Sequence, residues 1–142
     1  MIDPSSPFVL AQAVATLGKG ALLARLAACG HGEVGMPDVK LLWCLGAEPV
    51  NVQQVAEMTG TTKQFAARTV AKLRESGLVR VSPAPNDKRS IAITATRKGE
   101  ALLAIIRSEK DAIEAEWRAA IGATAFEAIA RALARLIDGP LK

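Results

Sequence analysis

VNVQQVAEMTGTTKQFAARTVAKLRESGLV, running from Val50 to Val79, decides the fold. Asn51 can cap a helix with its side-chain oxygen, and Gln54 three residues on can answer it, a capping box that opens a short helix. Val52, Val55, Ala56 and Met58 supply that helix's apolar side. Gly60 stops it, because a residue without a Cβ enters the left-handed region at no steric cost. Only Thr61 and Thr62 then intervene before a longer helix, predicted over Lys63 to Ser76, with a threonine hydroxyl at its N-cap and Gly77 at its stop. Helix, tight glycine-containing turn, helix is a unit on which many DNA readers are built. Ala66, Val70 and Leu73 form the stripe that seats the second helix, while Gln64, Arg68, Lys72 and Glu75 share the opposite side and Lys63 lies in the first turn. Arg can bond the guanine edge and Gln the adenine edge in a major groove. The plain alternative is a solvated, cation-rich helix face.

Downstream the period changes from helical to two. Leu78 to Ser82 (LVRVS) and Ser90 to Ala95 (SIAITA) alternate and are predicted to be two strands of a hairpin with a long tip between them. That tip holds Asp87, Lys88 and Arg89. A basic tip beside a helix-turn-helix can follow the minor groove, whose negative potential attracts arginine. On this reading Arg89 enters the groove and Lys88 meets a phosphate, while Asp87 bonds the tip backbone or orients Arg89. Thr96 is the expected cap of a long amphipathic helix from Arg97 to about Ile121. A last helix, Ala123 to Ile137, carries Phe126, Ile129, Ala130, Leu133, Leu136 and Ile137 at helical spacing, with Gly139-Pro140 ending it.

Upstream, Phe8 to Ala28 reads as a helix softened near Gly18 and Gly20 and apolar on most faces. Lys19 and Arg25 interrupt it and Asp3 stands where a signal peptide needs a cation, so it is expected to be buried, with a partner subunit as cover, rather than to span a membrane. Pro37 suits the first turn of a second short helix, on which Val39, Leu41, Leu42 and Leu45 face inward.

The totals agree with a nucleic-acid partner. The chain of 142 residues carries a formal net charge of +4. Residues 60 to 90 hold seven cations (Lys63, Arg68, Lys72, Arg74, Arg80, Lys88, Arg89) against two acids (Glu75, Asp87), so the basic character belongs to one segment. Two cysteines, Cys29 and Cys44, make no disulfide framework and suit the cytoplasm. Cys29 is the candidate redox residue, against the alternative of a small buried hydrophobe. Trp43 and Trp117 are expected in the core rather than in a ligand pocket. His31 with Cys29, Glu33 and Cys44 matches no compact metal site, and Asp111, Glu114 and Glu116 look like a solvated face. With no nucleophile-base pair, phosphate loop or cofactor motif, no enzyme is expected and no cofactor is assigned.

The order of elements and the wording of two phrases resemble the MarR family of winged helix-turn-helix transcription regulators. The phrases are the one quoted above and PNDKRSIAITATRKGE, where Asp87 and Arg89 stand at an Asp-x-Arg wing tip and Thr96 and Gly99 form a following Thr-x-x-Gly. The similar region runs from about Pro37 to Ile137. The resemblance implies a mainly α fold with a two-stranded β wing: residues 1–36 as arm and dimerisation helix, 37–96 as the DNA-binding lobe, and 97–142 as C-terminal dimerisation helices. It implies a homodimer on double-stranded DNA, with recognition helices in successive major grooves and wings in the flanking minor grooves. By position, Lys63, Gln64, Ala67 and Arg68 fall where the family meets bases or phosphates; Thr62, at the N-cap, and Lys72, from the outward face, join them as DNA-binding candidates. Regulation by a small aromatic ligand, or by cysteine oxidation, is implied too. Phe65 departs from the family where a small polar residue is common, Val39 where an aromatic is, and Ala95 where the residue is usually larger. The runner-up is a winged-helix module for protein contact, its basic face meeting an acidic partner.

Overall fold

A computed structural model describes residues 1–139, and at Lys88 the main chain only. Six helices and one hairpin follow in the order α1 (Pro7–Ala28), α2 (Met36–Cys44), α3 (Val52–Thr59), α4 (Lys63–Glu75), β1 (Val79–Ala84), β2 (Asp87–Ala95), α5 (Arg97–Ile121) and α6 (Ala123–Asp138). The mainly α, winged helix-turn-helix architecture expected from the sequence is the one observed. Local capping accounts for most of the boundaries. Asn51 Oδ1 accepts from Gln54 N at 2.8 Å while Gln54 Oε1 accepts from Asn51 N at 2.9 Å. Thr62 accepts from the N–H of Phe65, and Thr96 from that of Gly99. Gly60 closes α3 in the left-handed region at φ 67°.

The core lies where the C-terminal half of α1, α2, α3, α4, the base of the wing and α5 meet. Leu26, Leu42, Leu73, Ile93 and Ile106 are among its fully enclosed side chains. Val39 is fully buried as well, so the position at which the family often has an aromatic is a packed aliphatic site here. Each such side chain contributes about 1.5–3 kcal/mol by leaving water. A third strand-like contact steadies the wing: Val50 and Ile93 exchange both backbone hydrogen bonds, at 3.1 and 2.7 Å.

Three expectations are corrected and one is refined. First, α1 is continuous through Gly18 and Gly20. A Cβ at Gly18 would stand 3.0 Å from the Trp117 indole, so this glycine marks close packing of α5 on α1, not a break. Second, within one chain α1 is buried only along Leu22 and Leu26, and Phe8, Leu10, Val14 and Leu17 are exposed on the side left for the expected partner subunit to cover. By length and composition alone this helix could cross a membrane. Its Arg25, however, reaches from α1 to two carboxylates of α5, Glu109 at 3.1 Å and Glu116. Those acids raise the guanidinium pKa, the Glu109 hydrogen bond first. Third, Trp43 is exposed rather than core, whereas Trp117 is half-buried against it. Met58, expected on the apolar side of α3, is exposed too.

The last correction concerns the wing. Its strands extend beyond the expected limits and the turn shrinks to Pro85-Asn86. Pro83 pairs with Ile91 and Ala84 with Asp87, so residues 88–90 have no opposite number and form a bulge on β2. Such a bulge absorbs the surplus residues and bends the strand outward. Pro83 is tolerated because β1 has a neighbour on one side only. Gly139 ends α6 as expected, and Pro140, expected beside it, lies outside the described residues.

Candidate nucleic-acid interface

At 100° per residue, Ala66, Thr69, Val70 and Leu73 fall on one side of α4, and all four are buried. Gln64, Ala67, Arg68, Ala71 and Glu75 fall opposite and are exposed, with Lys63 exposed at the first turn. The helix therefore offers a side wide enough to meet a groove without disturbing its seat. Its first turn contains no acid, so nothing offsets the positive end of the helix dipole beside Lys63. Thr62 uses its hydroxyl oxygen to accept from Phe65 N at 3.1 Å, which leaves the hydroxyl proton free to be donated outward.

Lys72 has a different setting from the one expected. Its Nζ lies 2.6 Å from Oδ2 of Asp38, a residue of α2 that is itself buried. The same carboxylate oxygen accepts from Gly35 N at 2.9 Å, capping α2. Lys72 thus ties the last turn of α4 to the start of α2. Asp38 was not singled out in the sequence, because its partner is 34 residues away and no local spacing connects them.

The wing follows α4 through a compact knot. Gly77 turns the chain at φ 75° and Leu78 N returns to Leu73 O at 2.8 Å. Thr96 then donates twice, its N–H to Leu78 O at 3.1 Å and its hydroxyl to Gly77 O at 2.6 Å. Gly99 is required by the same junction: a Cβ there would lie 2.0 Å from Leu78 O. The Thr-x-x-Gly phrase accordingly fastens the end of α4, the root of the wing and the start of α5 into one piece. At the far end of the wing Asp87 Oδ1 accepts the main-chain N–H of Arg89 at 2.9 Å, and the Arg89 side chain is exposed. The Lys88 side chain lies outside the described residues.

A cleft of about 210 Å³ opens beside α4, lined among others by Lys19, Met36, Lys40, Val55, Phe65 and Thr69. Its lining is mostly apolar, with two lysines at hand. A second cavity, of about 170 Å³, lies where Lys72 and Lys98 approach His31, Glu33 and Asp38.

Residues 38–90 match the model of the MarR family. A MarR family transcriptional regulator from Rhodococcus sp. RHA1 superposes with a TM-score of 0.77 at 26% identity, over 93% of this chain and 91% of that one. Over residues 38–90 the chain is thus similar to the MarR family. CouR from Rhodococcus jostii RHA1, in a structure with p-coumaroyl-CoA, is similar over 96% of this chain and 94% of its own, at 26% identity and a TM-score of 0.77. A CouR repressor bound to a 23-mer DNA duplex shares the fold at 18% identity and a TM-score of 0.82, over 96% of this chain and 99% of that one. A comparison with curated proteins matches none of them.

Within this fold the remaining sequence candidates take definite places. Cys29 is exposed at the end of α1, and its thiol lies 3.6 Å from Glu109 Oε1, the carboxylate that also holds Arg25. Cys44 donates to Lys40 O at 3.2 Å, and burial pushes its pKa up, which disfavours the thiolate. His31 Nδ1 stands 3.8 Å from Glu33. Among the described residues no group of three His, Cys, Asp or Glu could hold a metal. Lys110 is shared by Asp111 at 2.7 Å and Glu114 at 3.6 Å, while Glu116 turns to Arg25.

Proposed function

We propose that the protein is a ligand-responsive transcriptional repressor of the MarR family, acting in the cytoplasm as a homodimer on a pseudo-palindromic duplex site. The observation that carries this reading is the basic outward side of α4 fastened rigidly to a wing that ends in exposed Arg89. In this assignment Gln64, Ala67 and Arg68 face base edges in the major groove, Thr62 and Lys63 hold phosphates, and Arg89 follows the minor groove. Lys88 is assigned to a phosphate beside it, with Asp87 setting the local backbone. Residues 37–96 form the DNA-binding lobe, and residues 1–36 with 97–142 the dimerisation part. Support for the dimer comes from apolar side chains exposed at both ends of the chain: Phe8, Leu10, Val14 and Leu17 on α1, and Ile129, Leu133, Leu136 and Ile137 on α6. Contiguous apolar surface of that kind marks an interaction site.

The cleft beside α4 is our choice for the inducing ligand. Its apolar lining suits an aromatic ring, and Lys19 and Lys40 suit a carboxylate or another anionic group. A ligand that fits one spacing of the lobes better than another shifts the population competent to bind two consecutive grooves. Cys29 is the candidate for an alternative, oxidative signal.

Titration with salt tests the reading. If the dimer neutralises about six phosphates, log K should fall with log salt at a slope of about −5. Arg89→Ala should weaken binding to the site selected from genomic fragments while leaving the helical content unchanged. Equal affinity in that variant removes the wing from the mechanism. No affinity for duplex DNA at low salt without ligand sinks the repressor assignment and leaves the basic face to an acidic protein partner.

A further inference from the structure

The Phe65 ring occupies a position the groove-facing residues do not share. It is 38% exposed on α4, at the margin between the buried stripe and the outward side. One part of it lines the cleft with Met36, Pro37 and Val55, which belong to α2 and α3. Another part faces the Arg68 guanidinium, whose central carbon stands 5.8 Å from the ring centroid. Arg68 has no carboxylate partner within salt-bridge distance among the described residues. The ring therefore stands against a cation that no carboxylate holds.

We propose that Phe65 is a positioning residue for sequence readout: at the rim of the cleft that α4 shares with α2 and α3, its ring holds the Arg68 guanidinium in the orientation that discriminates between operator and other DNA. A guanidinium stacked over an aromatic face keeps its planar fork of donors available while losing rotamer freedom before DNA arrives. Ordering a side chain in advance reduces the entropy lost on binding. The same ring forms a wall of the proposed ligand cleft, so a molecule entering there meets the support of Arg68 directly. The proposal rests on the assignment of Arg68 to base edges made above.

The experiment measures affinity for the selected operator and for a random duplex of equal length, in Phe65→Leu, Phe65→Tyr, Arg68→Ala and the double variant Phe65→Leu/Arg68→Ala, after confirming unchanged helical content. Leucine keeps the apolar anchor but removes the π face, and tyrosine keeps both. Phe65→Leu should reduce the operator-to-random ratio about two- to fivefold, the range of an exposed cation–π contact, and Phe65→Tyr should retain it. In the Arg68→Ala background Phe65→Leu should have no further effect, because the ring acts through the guanidinium. A ratio unchanged in Phe65→Leu, or an equal loss in both backgrounds, overturns the positioning role while leaving the repressor reading intact. An unchanged ratio in Arg68→Ala overturns the base-contact assignment and the positioning role together.

Discussion

Gly99→Ala is the sharpest perturbation of the site, because it adds one methyl group where backbone already stands. The new Cβ would lie 2.0 Å from Leu78 O, against the 3.0 Å below which real Cβ contacts are essentially never found, so the start of α5 must retreat by about 1 Å. That retreat stretches the two hydrogen bonds made by Thr96, at 2.6 Å to Gly77 O and 3.1 Å to Leu78 O, beyond useful length. Overpacking costs about 1–3 kcal/mol, and the two bonds about 1 kcal/mol each. Alanine recovers about 1 kcal/mol of helix propensity over glycine. The net loss is about 2–4 kcal/mol, or roughly 10 °C in Tm for a domain of this size. Urea unfolding followed by circular dichroism measures it, with protein concentration held fixed since a dimer's stability depends on it. The folded fraction should also bind the operator more weakly, because this junction sets the wing relative to α4. A Gly99→Ala protein within about 0.5 kcal/mol of the parent would refute the account of the junction.

Two further outcomes are expected. Lys72→Met removes the cation facing buried Asp38; because the Lys72 side chain is 53% exposed, the loss in urea unfolding should be only about 1 kcal/mol. The salt slope of DNA binding should not change, and a decrease of about one unit would return Lys72 to the phosphate contacts. Leu133→Glu places a charge on the exposed apolar side of α6 and should shift the protein from dimer to monomer in sedimentation equilibrium. An unaltered dimer would place the subunit contact elsewhere.

The helix boundaries were legible because each rests on groups three or four residues apart. Asn51 with Gln54, Thr62 with Phe65 N and Thr96 with Gly99 N are local bonds, and Gly60 and Gly77 mark local backbone conformations. The basic side of α4 was likewise readable, since helical period alone places Gln64 and Arg68 opposite Ala66, Val70 and Leu73. Trp43 and Met58 were misplaced for a reason of the same kind: an apolar residue on a short helix has a direction, but whether another element covers it depends on tertiary packing.

The order of the elements, their caps and the segment that bears the positive charge follow from residue types and their spacing alone. These depend on interactions within a turn or two of chain, which residue types and spacing specify. Packing between distant segments, by contrast, sets Lys72 against Asp38, Gly99 against the Leu78 carbonyl, Gly18 beside Trp117 and Phe65 between a cleft and Arg68. Each of those joins segments distant in the chain, and their meeting is set by the packing of whole helices. Arg89 illustrates both levels. Its charge and its Asp87 neighbour are read from PNDKRS, whereas its place in a bulge, beyond a two-residue turn, follows from the pairing register that Val50, Ile93 and the core impose on β2.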